Sequence, residues 1–354
     1  MKDDKLKINV IIPFITETGG IKVIFNYCDY LVKQGYDVVC YMPYIQYKFN
    51  NTNAVRIKSM IGDILKHRLR LASEHLFKYK LVFKITNYFV RDADLIIATA
   101  WPTARDVFRL NASKGKKVYF VQSHEIWSSR NIKEVEETYK YKMNRICVST
   151  ELHNILKEKY NVESYILLNG INENEFIKQK KKYKKSILMM YSFQPCKQSD
   201  LGLEVLKRIK KLDSDIEVNI FGIKKPHDID ESFNFYENPS RDTILELYRN
   251  SAIYLYTSNQ KESWGLPVLE AMANKCVVIG NYSGCVKEIG NNMKNLIITD
   301  GSIEAYISNV LLVLGNPKLI TSIQNNAFET ANSLKMEKQN KKLESIISNI
   351  IKKG

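Results

Sequence analysis

The most informative part of this sequence is residues 261–273, KESWGLPVLEAMA. Two glutamates, Glu262 and Glu270, are separated there by seven residues. Between them, Gly265 and Leu266 precede Pro267, and apolar residues follow at helical spacing. Proline is favoured at the first position of a helix, so the pattern predicts that a helix begins at Pro267. The N–H groups of Gly265 and Leu266 would then lie at a helix N-terminus, where unpaired donors and the helix dipole stabilise an anion.

The two carboxylates suit a ligand that carries hydroxyl groups as well as phosphates. Glu270, in the first turn of the predicted helix, can direct its carboxylate toward a diol such as a ribose. Glu262 can face the other end of the same ligand. A nucleoside diphosphate with an attached sugar would place its phosphates on the amides and its hydroxyls on the carboxylates. The alternative is that both glutamates are only favourable acids near a helix start, each worth about 0.3–1 kcal/mol.

The complete stretch resembles the signature of the retaining family-4 glycosyltransferases. In that family two glutamates flank seven residues that contain Phe or Trp followed by Gly-Leu-Pro, and Ala-Met-Ala comes after them. The resemblance implies an α/β fold of the GT-B type, with two Rossmann-like domains that face each other across a cleft. It also implies that Glu270 binds the ribose of a donor nucleotide and that Glu262 contacts the transferred sugar near its reacting centre.

The rest of the chain agrees with two α/β domains. At about 150 residues per domain, the 354 residues predict two of them. The resemblance implies an N-terminal, acceptor-binding domain, which we place at 1–168, and a nucleotide-sugar-binding domain, which we place at 169–335. A C-terminal helix at about 336–354 is expected to pack back on the first domain. The lysine-rich run 178–185, KQKKKYKK, is typical of a linker or an exposed loop, and a hinge is expected near 165–185.

Apolar runs alternate along the chain with segments of helical periodicity, as in a parallel α/β sheet. Strands are predicted at 7–14, 37–42, 94–98, 117–122, 145–149, 186–191, 217–221, 253–256 and 277–280. Helices are predicted at about 21–34, 200–212, 241–250, 267–274 and 323–352.

Three further positions extend the resemblance. Gly19 and Gly20 follow the first predicted strand, where the family has a glycine pair close to the donor phosphates and the acceptor; a plain tight turn is the alternative. The run 169–171, Asn-Gly-Ile, followed by Phe176, resembles the entry into the family's second domain. Lys197 stands where the family has a lysine that clamps the diphosphate, although without that context it would be interpreted as a solvated loop lysine.

The sequence also departs from the family pattern around the phosphate contacts. The arginine usually found a few residues before the lysine is absent, and Tyr191 and Ser192 occupy its place. Gln198 replaces the glycine that normally follows the lysine. Asn274 and Lys275 replace the glycine that ends the helix, and we expect Asn274 to take the left-handed conformation. These changes concern the phosphate contacts rather than the fold.

His124 lies in the segment that follows the strand at 117–122. The family often has a histidine near the donor sugar at this point, which makes His124 a candidate catalytic residue. Some members instead have Gln-x-x-Glu-x-Trp here, in which case Gln122, Glu125 and Trp127 are the matched residues and His124 is incidental. Trp127 would either stack on a sugar or pack beneath the loop.

Composition and charge narrow the classes of function. A net charge of +15 favours an anionic partner, although a basic soluble surface explains it equally well. With 45% hydrophobic and 26% charged residues the chain is not disordered, and no apolar run approaches the roughly 18–20 residues of a membrane span. The histidines and cysteines show no ligand spacing, so we expect no metal, and no cofactor apart from the donor substrate. No nucleic-acid-binding module and no Gly-x-Gly-x-x-Gly after a strand is found, which argues against nucleic acid as a partner and against a nicotinamide dehydrogenase.

Residues 56–91 form a basic segment interleaved with apolar residues. It holds nine Lys or Arg residues against two acids, Asp63 and Glu74. Such a segment is typical of a surface that contacts an anionic membrane or an acceptor. Helices with solvated basic faces, packed on the sheet, are the alternative.

The sequence therefore predicts a metal-independent, retaining glycosyltransferase. It would move a sugar from a nucleoside diphosphate donor to a glycan or a lipid-linked acceptor, in the cytoplasm or at the inner face of the cell membrane. Two alternatives stay open at this point. One is another GT-B enzyme, such as a sugar phosphorylase or a nucleotide-sugar epimerase, and the other is a non-catalytic subunit that binds nucleotide-sugars or glycans.

Overall fold

The computed structural model describes residues 5–14, 19–44, 47, 75–129, 131–179 and 184–352. The chain divides into two compact units. The first comprises Met1–Leu168 together with Asn340–Gly354, and the second comprises Asn169–Gln339. Each unit contains one parallel β-sheet with helices in its connections.

The sheet of the first unit has seven strands in the order β3-β2-β1-β4-β5-β6-β7. The strands are β1 (Lys7–Ile11), β2 (Asp37–Pro43), β3 (Lys78–Val82), β4 (Leu95–Ala98), β5 (Lys116–Val121), β6 (Asn144–Cys147) and β7 (Tyr165–Ile166). Helices α1 (Gly19–Lys33), α2 (Trp101–Phe108), α3 (Ile132–Lys140) and α4 (Thr150–Tyr160) lie in the connections. All residues of β4 and nearly all of β1 and β2 are buried, as expected for central strands of a parallel sheet that is covered on both faces.

The sheet of the second unit has six strands in the order β10-β9-β8-β11-β12-β13. The strands are β8 (Ser186–Tyr191), β9 (Glu217–Gly222), β10 (Asn234–Glu237), β11 (Ile253–Tyr256), β12 (Val277–Asn281) and β13 (Ile297–Thr299). The helices that begin in this unit are α5 (Ser199–Leu212), α6 (Arg241–Asn250), α7 (Leu266–Ala273), α8 (Val286–Ile289), α9 (Ile303–Leu314), α10 (Pro317–Ser333) and α11 (Met336–Lys352), and α11 continues into the first unit.

Both sheets have the strand order of a Rossmann fold. In each, the order runs 3-2-1-4-5-6 when the strands are counted from the start of their own sheet, and the first sheet adds a seventh strand at its edge. The direction of winding reverses between β1 and β4 in the first unit, and between β8 and β11 in the second. Ligands of such folds bind beyond the carboxyl ends of the strands at this reversal. The predicted α/β class with two Rossmann-like sheets is confirmed.

The four strands of the described residues that the sequence did not predict all lie at sheet edges. β3 and β10 are edge strands with little burial, and β7 and β13 are the two- and three-residue strands at the opposite edges. Because an edge strand of this kind lacks a continuous apolar run, its sequence gives little signal. The helical alternative for the basic segment is wrong at Lys78–Val82, which is a strand, and residues 56–74 lie outside the described part of the chain.

The predicted helix at 323–352 is two helices, α10 and α11, which are separated at Leu334 and Lys335. The chain turns there because the backbone of Ile171 exchanges hydrogen bonds with this segment. Its N–H donates to the Leu334 carbonyl at 3.1 Å and its carbonyl accepts from Met336 at 2.8 Å. Within the part of the chain that the structure describes, no helix is both long enough and apolar enough to cross a bilayer.

Residues 340–352 of α11 belong to the first unit. Leu343, Ile346, Ile347 and Ile350 are buried, and the Tyr30 hydroxyl donates to Glu344 at 3.0 Å. The Lys116 ammonium donates to the carbonyls of Ile350 at 3.1 Å and Ile351 at 2.6 Å. These carbonyls belong to the last turn of a helix, where a cation compensates both the unpaired acceptors and the dipole.

Replacing this ammonium should loosen the end of α11. For Lys116→Met we expect the free energy of unfolding to fall by about 1–2 kcal/mol, because two charge-assisted hydrogen bonds and a dipole interaction are lost. Chemical denaturation measures the loss. Lys133→Met, at an exposed position of α3, is the matched control and should leave stability within about 0.5 kcal/mol. Equal stability of the two variants would contradict the assignment.

Candidate functional site

Lys197 and Glu262 meet at the point where the winding of the second sheet reverses. Lys197 ends the 3-10 turn Pro195–Lys197 that follows β8, and Glu262 lies in the loop that follows β11. β8 and β11 are neighbours in the sheet, so these two segments start side by side. The Lys197 Nζ lies 2.5 Å from the Glu262 Oε2, and both side chains are largely buried. The predicted diphosphate lysine and the predicted sugar-contacting glutamate therefore form one ion pair.

Hydrogen bonds to backbone carbonyls hold the two segments together. The Asn259 N–H donates to the Cys196 carbonyl at 2.8 Å, and the Thr257 hydroxyl donates to the Lys197 carbonyl at 2.8 Å. A third segment, which follows β12, packs on the same loop: the Cys285 N–H donates to the Trp264 carbonyl at 2.5 Å, and the Ser283 hydroxyl donates to the Ser258 carbonyl at 2.8 Å. The Glu262 loop is thus supported from both sides.

Helix α7 begins at Leu266, one residue before the predicted start, and Gly265 is its N-cap. Gly265 has a φ of 81°, in the left-handed region that favours glycine, and a Cβ built on it would lie 2.9 Å from the Tyr256 hydroxyl oxygen. The N–H groups of the first turn therefore follow directly on the Glu262 loop. Because the helix starts earlier than predicted, Glu270 is its fifth residue rather than a residue of the first turn.

The Glu270 carboxylate is held by two side chains of α6. Its Oε1 lies 2.8 Å from the Arg241 Nη2, and its Oε2 accepts a hydrogen bond of 3.1 Å from the Tyr248 hydroxyl. Arg241 also contacts Glu175 through Nε at 3.0 Å and Nη2 at 2.7 Å. Burial lowers the pKa of the Arg241 guanidinium, but the carboxylates of Glu270 and Glu175 outweigh it and hold this pKa above its usual range.

The sequence does not point to Arg241, Tyr248 or Glu175, because each is far from the glutamate motif along the chain. The left-handed conformation predicted for Asn274 is wrong, since Asn274 has a φ of −103°; the left-handed residue is Lys275, with a φ of 56°. Asn274 instead uses its side-chain amide, which donates to the backbone carbonyls of Glu175 and Glu270, each at 2.9 Å. The ion pair of Glu262 is with Lys197, and no arginine pairs with Glu262 in the described ranges.

Gly19, Gly20 and His124 belong to the first unit. Gly19 and Gly20 open α1, as the sequence predicts, and follow β1 at the reversal of the first sheet. A Cβ on Gly20 would lie 2.7 Å from the Oε1 of Gln122, so a larger residue here would require the Gln122 side chain to move. Residues 15–18, which precede the pair, lie outside the described residues.

His124 follows β5 and is tied to the body of the first unit. Its Nε2 lies 2.7 Å from the Tyr160 hydroxyl, which in turn donates to Glu136 at 3.2 Å. Burial lowers the pKa of His124, the Lys159 ammonium lowers it further, and Glu136 opposes them. The ring is therefore neutral near pH 7. Trp127 is 58% exposed, which contradicts packing beneath the loop.

Glu125, the next residue, is buried and anchors this loop to α2. Its Oε2 accepts hydrogen bonds from the Trp101 N–H at 2.7 Å and from the Tyr119 hydroxyl at 3.1 Å. Burial raises the pKa of Glu125 to about 7, although these two donors oppose the increase. The carboxyl thus titrates near neutral pH while it holds the segment that carries His124.

Comparison with known families and structures agrees with this architecture. Residues 170–330 match the family model described as glycosyl transferases group 1. The matched residues lie within the second unit and include Lys197, Glu262, Gly265, Leu266 and Glu270. No curated protein sequence matches the chain.

Solved structures with the GT-B fold match the chain over nearly its whole length. A glycosyltransferase from Rickettsia africae has a TM-score of 0.69 at 17% identity, with 99% of this chain and 100% of that chain covered. HepE from Anabaena, in complex with UDP and glucose, has a TM-score of 0.74 at 13% identity, with 97% and 100% covered. TarM from S. aureus, in complex with fondaparinux, α-GlcNAc-glycerol and UDP, has a TM-score of 0.70 at 12% identity, with 97% and 99% covered. These likenesses show that the fold is GT-B.

A metal centre was not expected from the sequence. Among the described residues, no group of three or more His, Cys, Asp or Glu side chains is arranged to hold an ion.

The titration of Glu125 should make the free energy of unfolding depend on pH. A carboxyl whose pKa rises from 4.5 in the unfolded chain to about 7 in the fold contributes stability below pH 4.5 that is lost as the pH rises to 7. Glu125→Gln keeps an acceptor for Trp101 and removes the titration. As the pH rises from 4.5 to 8, the free energy of unfolding of the variant should increase, relative to that of the unaltered protein, by on the order of 3 kcal/mol.

Urea denaturation at several pH values measures this difference. Glu137→Gln, at an exposed position of α3, is the control and should follow the unaltered protein at every pH. A difference between Glu125→Gln and the unaltered protein that stays constant with pH would show that Glu125 does not titrate in this range.

Proposed function

We propose that the protein is a retaining, metal-independent family-4 glycosyltransferase. It moves a sugar from a nucleoside diphosphate-sugar to a hydroxyl of a growing bacterial glycan or glycolipid. The observation that carries the proposal is the contact of Lys197 with Glu262 at the reversal of the second sheet, directly before the N-terminus of α7. A cation and helix N–H groups suit the phosphates of such a donor, and the two carboxylates suit its hydroxyl groups.

In the proposed reaction the acceptor hydroxyl attacks the anomeric carbon on the face that the diphosphate leaves. The bond between that carbon and the phosphate oxygen breaks, and the hydroxyl proton passes to the departing phosphate. No protein side chain forms a bond with the sugar, so the contribution of the chain is positioning and charge stabilisation.

Lys197 and Glu262 divide these tasks. An ammonium group has three N–H donors, and the contact with Glu262 uses one of them. The other donors, with the N–H groups of Gly265 and Leu266, stabilise the charge that develops on the leaving diphosphate. Glu262 contacts the transferred sugar, and the ion pair keeps its carboxylate oriented beside the phosphates. Glu270 binds the ribose.

The donor contacts of Gly19, Gly20 and His124 rest on the family resemblance. His124 is neutral and hydrogen-bonded through one ring nitrogen, so it is proposed to contact the donor sugar as a hydrogen-bonding group rather than as a cation. The similar structures of HepE, in complex with UDP and glucose, and of TarM, in complex with UDP and α-GlcNAc-glycerol, favour UDP-sugars as the first donors to test.

A screen of UDP-, GDP-, ADP- and dTDP-sugars for thermal stabilisation tests the proposal. A donor at about 100 times its dissociation constant should stabilise the fold by about 2.7 kcal/mol and raise the melting temperature. With that donor, Glu270→Ala should lose sugar transfer and nucleoside diphosphate affinity together. Glu262→Ala should lose transfer while it still binds the nucleoside diphosphate.

Glu246→Ala, which removes an exposed glutamate of α6, is the matched control and should retain both properties. Transfer at nearly the full rate in Glu262→Ala and Glu270→Ala would refute the site. Binding without any turnover would favour a non-catalytic nucleotide-sugar-binding subunit. Release of a sugar phosphate or an epimerised nucleotide-sugar would favour the other GT-B chemistries.

We also propose peripheral contact with an anionic membrane through the first unit. In the described part of the basic segment, Phe83 is 58% exposed, Tyr88 is 89% exposed, and Lys84 lies 5.9 Å from the centre of the Phe83 ring. Exposed aromatic side chains beside lysines suit the interface of an anionic bilayer.

The double variant Phe83→Ser, Tyr88→Ser should therefore sediment less with vesicles that contain phosphatidylglycerol. Leu212→Ser, which removes a 62% exposed apolar side chain from the second unit, is the control and should sediment like the unaltered protein. If the unaltered protein has no affinity for these vesicles, the membrane proposal is wrong, whereas the proposed transfer reaction is unaffected.

A further inference from the structure

Arg241 stands between two carboxylates of the glycosyltransferase domain. Its Nη2 lies 2.8 Å from the Oε1 of Glu270 and 2.7 Å from the Oε1 of Glu175, and its Nε donates to the same Glu175 oxygen at 3.0 Å. The three groups come from separate segments: the turn Glu173–Glu175, the start of α6 and the middle of α7. One guanidinium therefore couples three parts of the domain.

The location of Arg241 is unfavourable for a cation in other respects. It is the first residue of α6, whose N-terminus carries the positive end of the helix dipole. The Ser240 side chain already caps this helix by accepting from the Thr243 N–H at 3.2 Å. Stabilisation of α6 thus does not account for Arg241, whereas its contacts with the two carboxylates do.

The two carboxylates have different roles toward Arg241. Glu175 accepts from two of its nitrogens, which fixes the plane of the guanidinium. The frame around Glu175 is itself fixed, because the Asn274 amide binds the backbone carbonyls of Glu175 and Glu270. Toward Glu270, Arg241 directs Nη2, which lies 2.8 Å from Oε1. Because Glu175 already takes the edge formed by Nε and Nη2, that edge does not serve as a fork for Glu270.

The Glu270 carboxylate keeps acceptor positions for a ligand. A carboxylate has about four acceptor positions, two on each oxygen. Arg241 occupies one on Oε1 and the Tyr248 hydroxyl occupies one on Oε2. In the described residues these contacts leave one acceptor position on each oxygen. Two acceptors on one rigid carboxylate match the two hydroxyl groups of a cis-diol.

We propose that Arg241 is a positioning residue that orients Glu270 to accept both ribose hydroxyls, and that it thereby selects ribonucleotide over 2′-deoxyribonucleotide donors. The inference rests on the proposed function, since it assigns the selectivity of the same donor site. A 2′-deoxyribose would leave one oxygen of a largely buried carboxylate without its hydroxyl donor. Sites built to bind a hydroxyl reject an analogue that lacks it, because the partner group is left unpaired.

Titration calorimetry with UDP, ADP and GDP, each beside its 2′-deoxy form, tests the inference. We expect the unaltered protein to bind the ribonucleotide at least about tenfold more tightly than the deoxy form. Arg241→Gln should weaken binding of the ribonucleotide about tenfold or more and binding of the deoxy form much less. The ratio of the two dissociation constants should therefore approach one. Arg249→Gln, which removes an arginine of the same helix that pairs with Glu246, is the matched control and should keep the ratio.

A second variant keeps the test decisive if Arg241→Gln fails to fold. Arg241→Lys retains the charge but lacks the planar fork that bridges two carboxylates, and it should also lower the ratio. An unchanged ratio in a folded Arg241 variant, or equal affinity of the unaltered protein for the two sugars, overturns the inference and leaves the proposed function standing. If the unaltered protein binds none of these nucleotides, the proposed function fails as well.

Discussion

The contact between Lys197 and Glu262 depends on where the second sheet reverses its direction of winding. β8 and β11 are adjacent although more than sixty residues separate the two side chains along the chain, and their carboxyl ends open at the same edge. The segments that follow them therefore converge, and the loop from β12 supports the Glu262 segment from its other side. Everything else in the candidate site is arranged around this point: the N-terminus of α7 follows the Glu262 loop directly, and Glu270 lies on the same helix.

Each of the two glutamates is oriented by a basic side chain from another segment. Lys197 holds Glu262, and Arg241 holds Glu270 with the help of Tyr248. A carboxylate that is held in this way needs little rearrangement when a ligand arrives, which is the physical basis of preorganised binding and catalysis. The charges of the site are also largely balanced internally. Two cations, Lys197 and Arg241, face three carboxylates there, so the net charge of +15 belongs to the rest of the chain.

Local patterns predicted the elements whose signal is contained in a short window. The central strands were found because they are continuous apolar runs, and α7 was placed to within one residue because Pro267 marks its start. Edge strands such as β3 were missed because their exposed lysines remove the apolar run, although the pairing with β2 makes them strands. The left-handed residue after α7 was assigned to Asn274 rather than Lys275, because composition alone does not show that the Asn274 amide is engaged with Glu175 and Glu270.

Residues 261–273 were sufficient to indicate a helix start and a site with two carboxylates, since helix signals and motif spacing are local properties of a chain. The Rossmann-like α/β class was implied by the family resemblance of this stretch and by the alternation of strand and helix patterns along the whole chain. Arg241, Tyr248 and Glu175 carry no such signal, and each is an ordinary residue of its own segment. Only the packing of α6, α7 and the turn at Glu173–Glu175 brings them to Glu270. The reason is physical: hydrogen bonds and ion pairs between distant segments form when burial of the shared core brings the backbones together, and a single window of sequence does not contain that information.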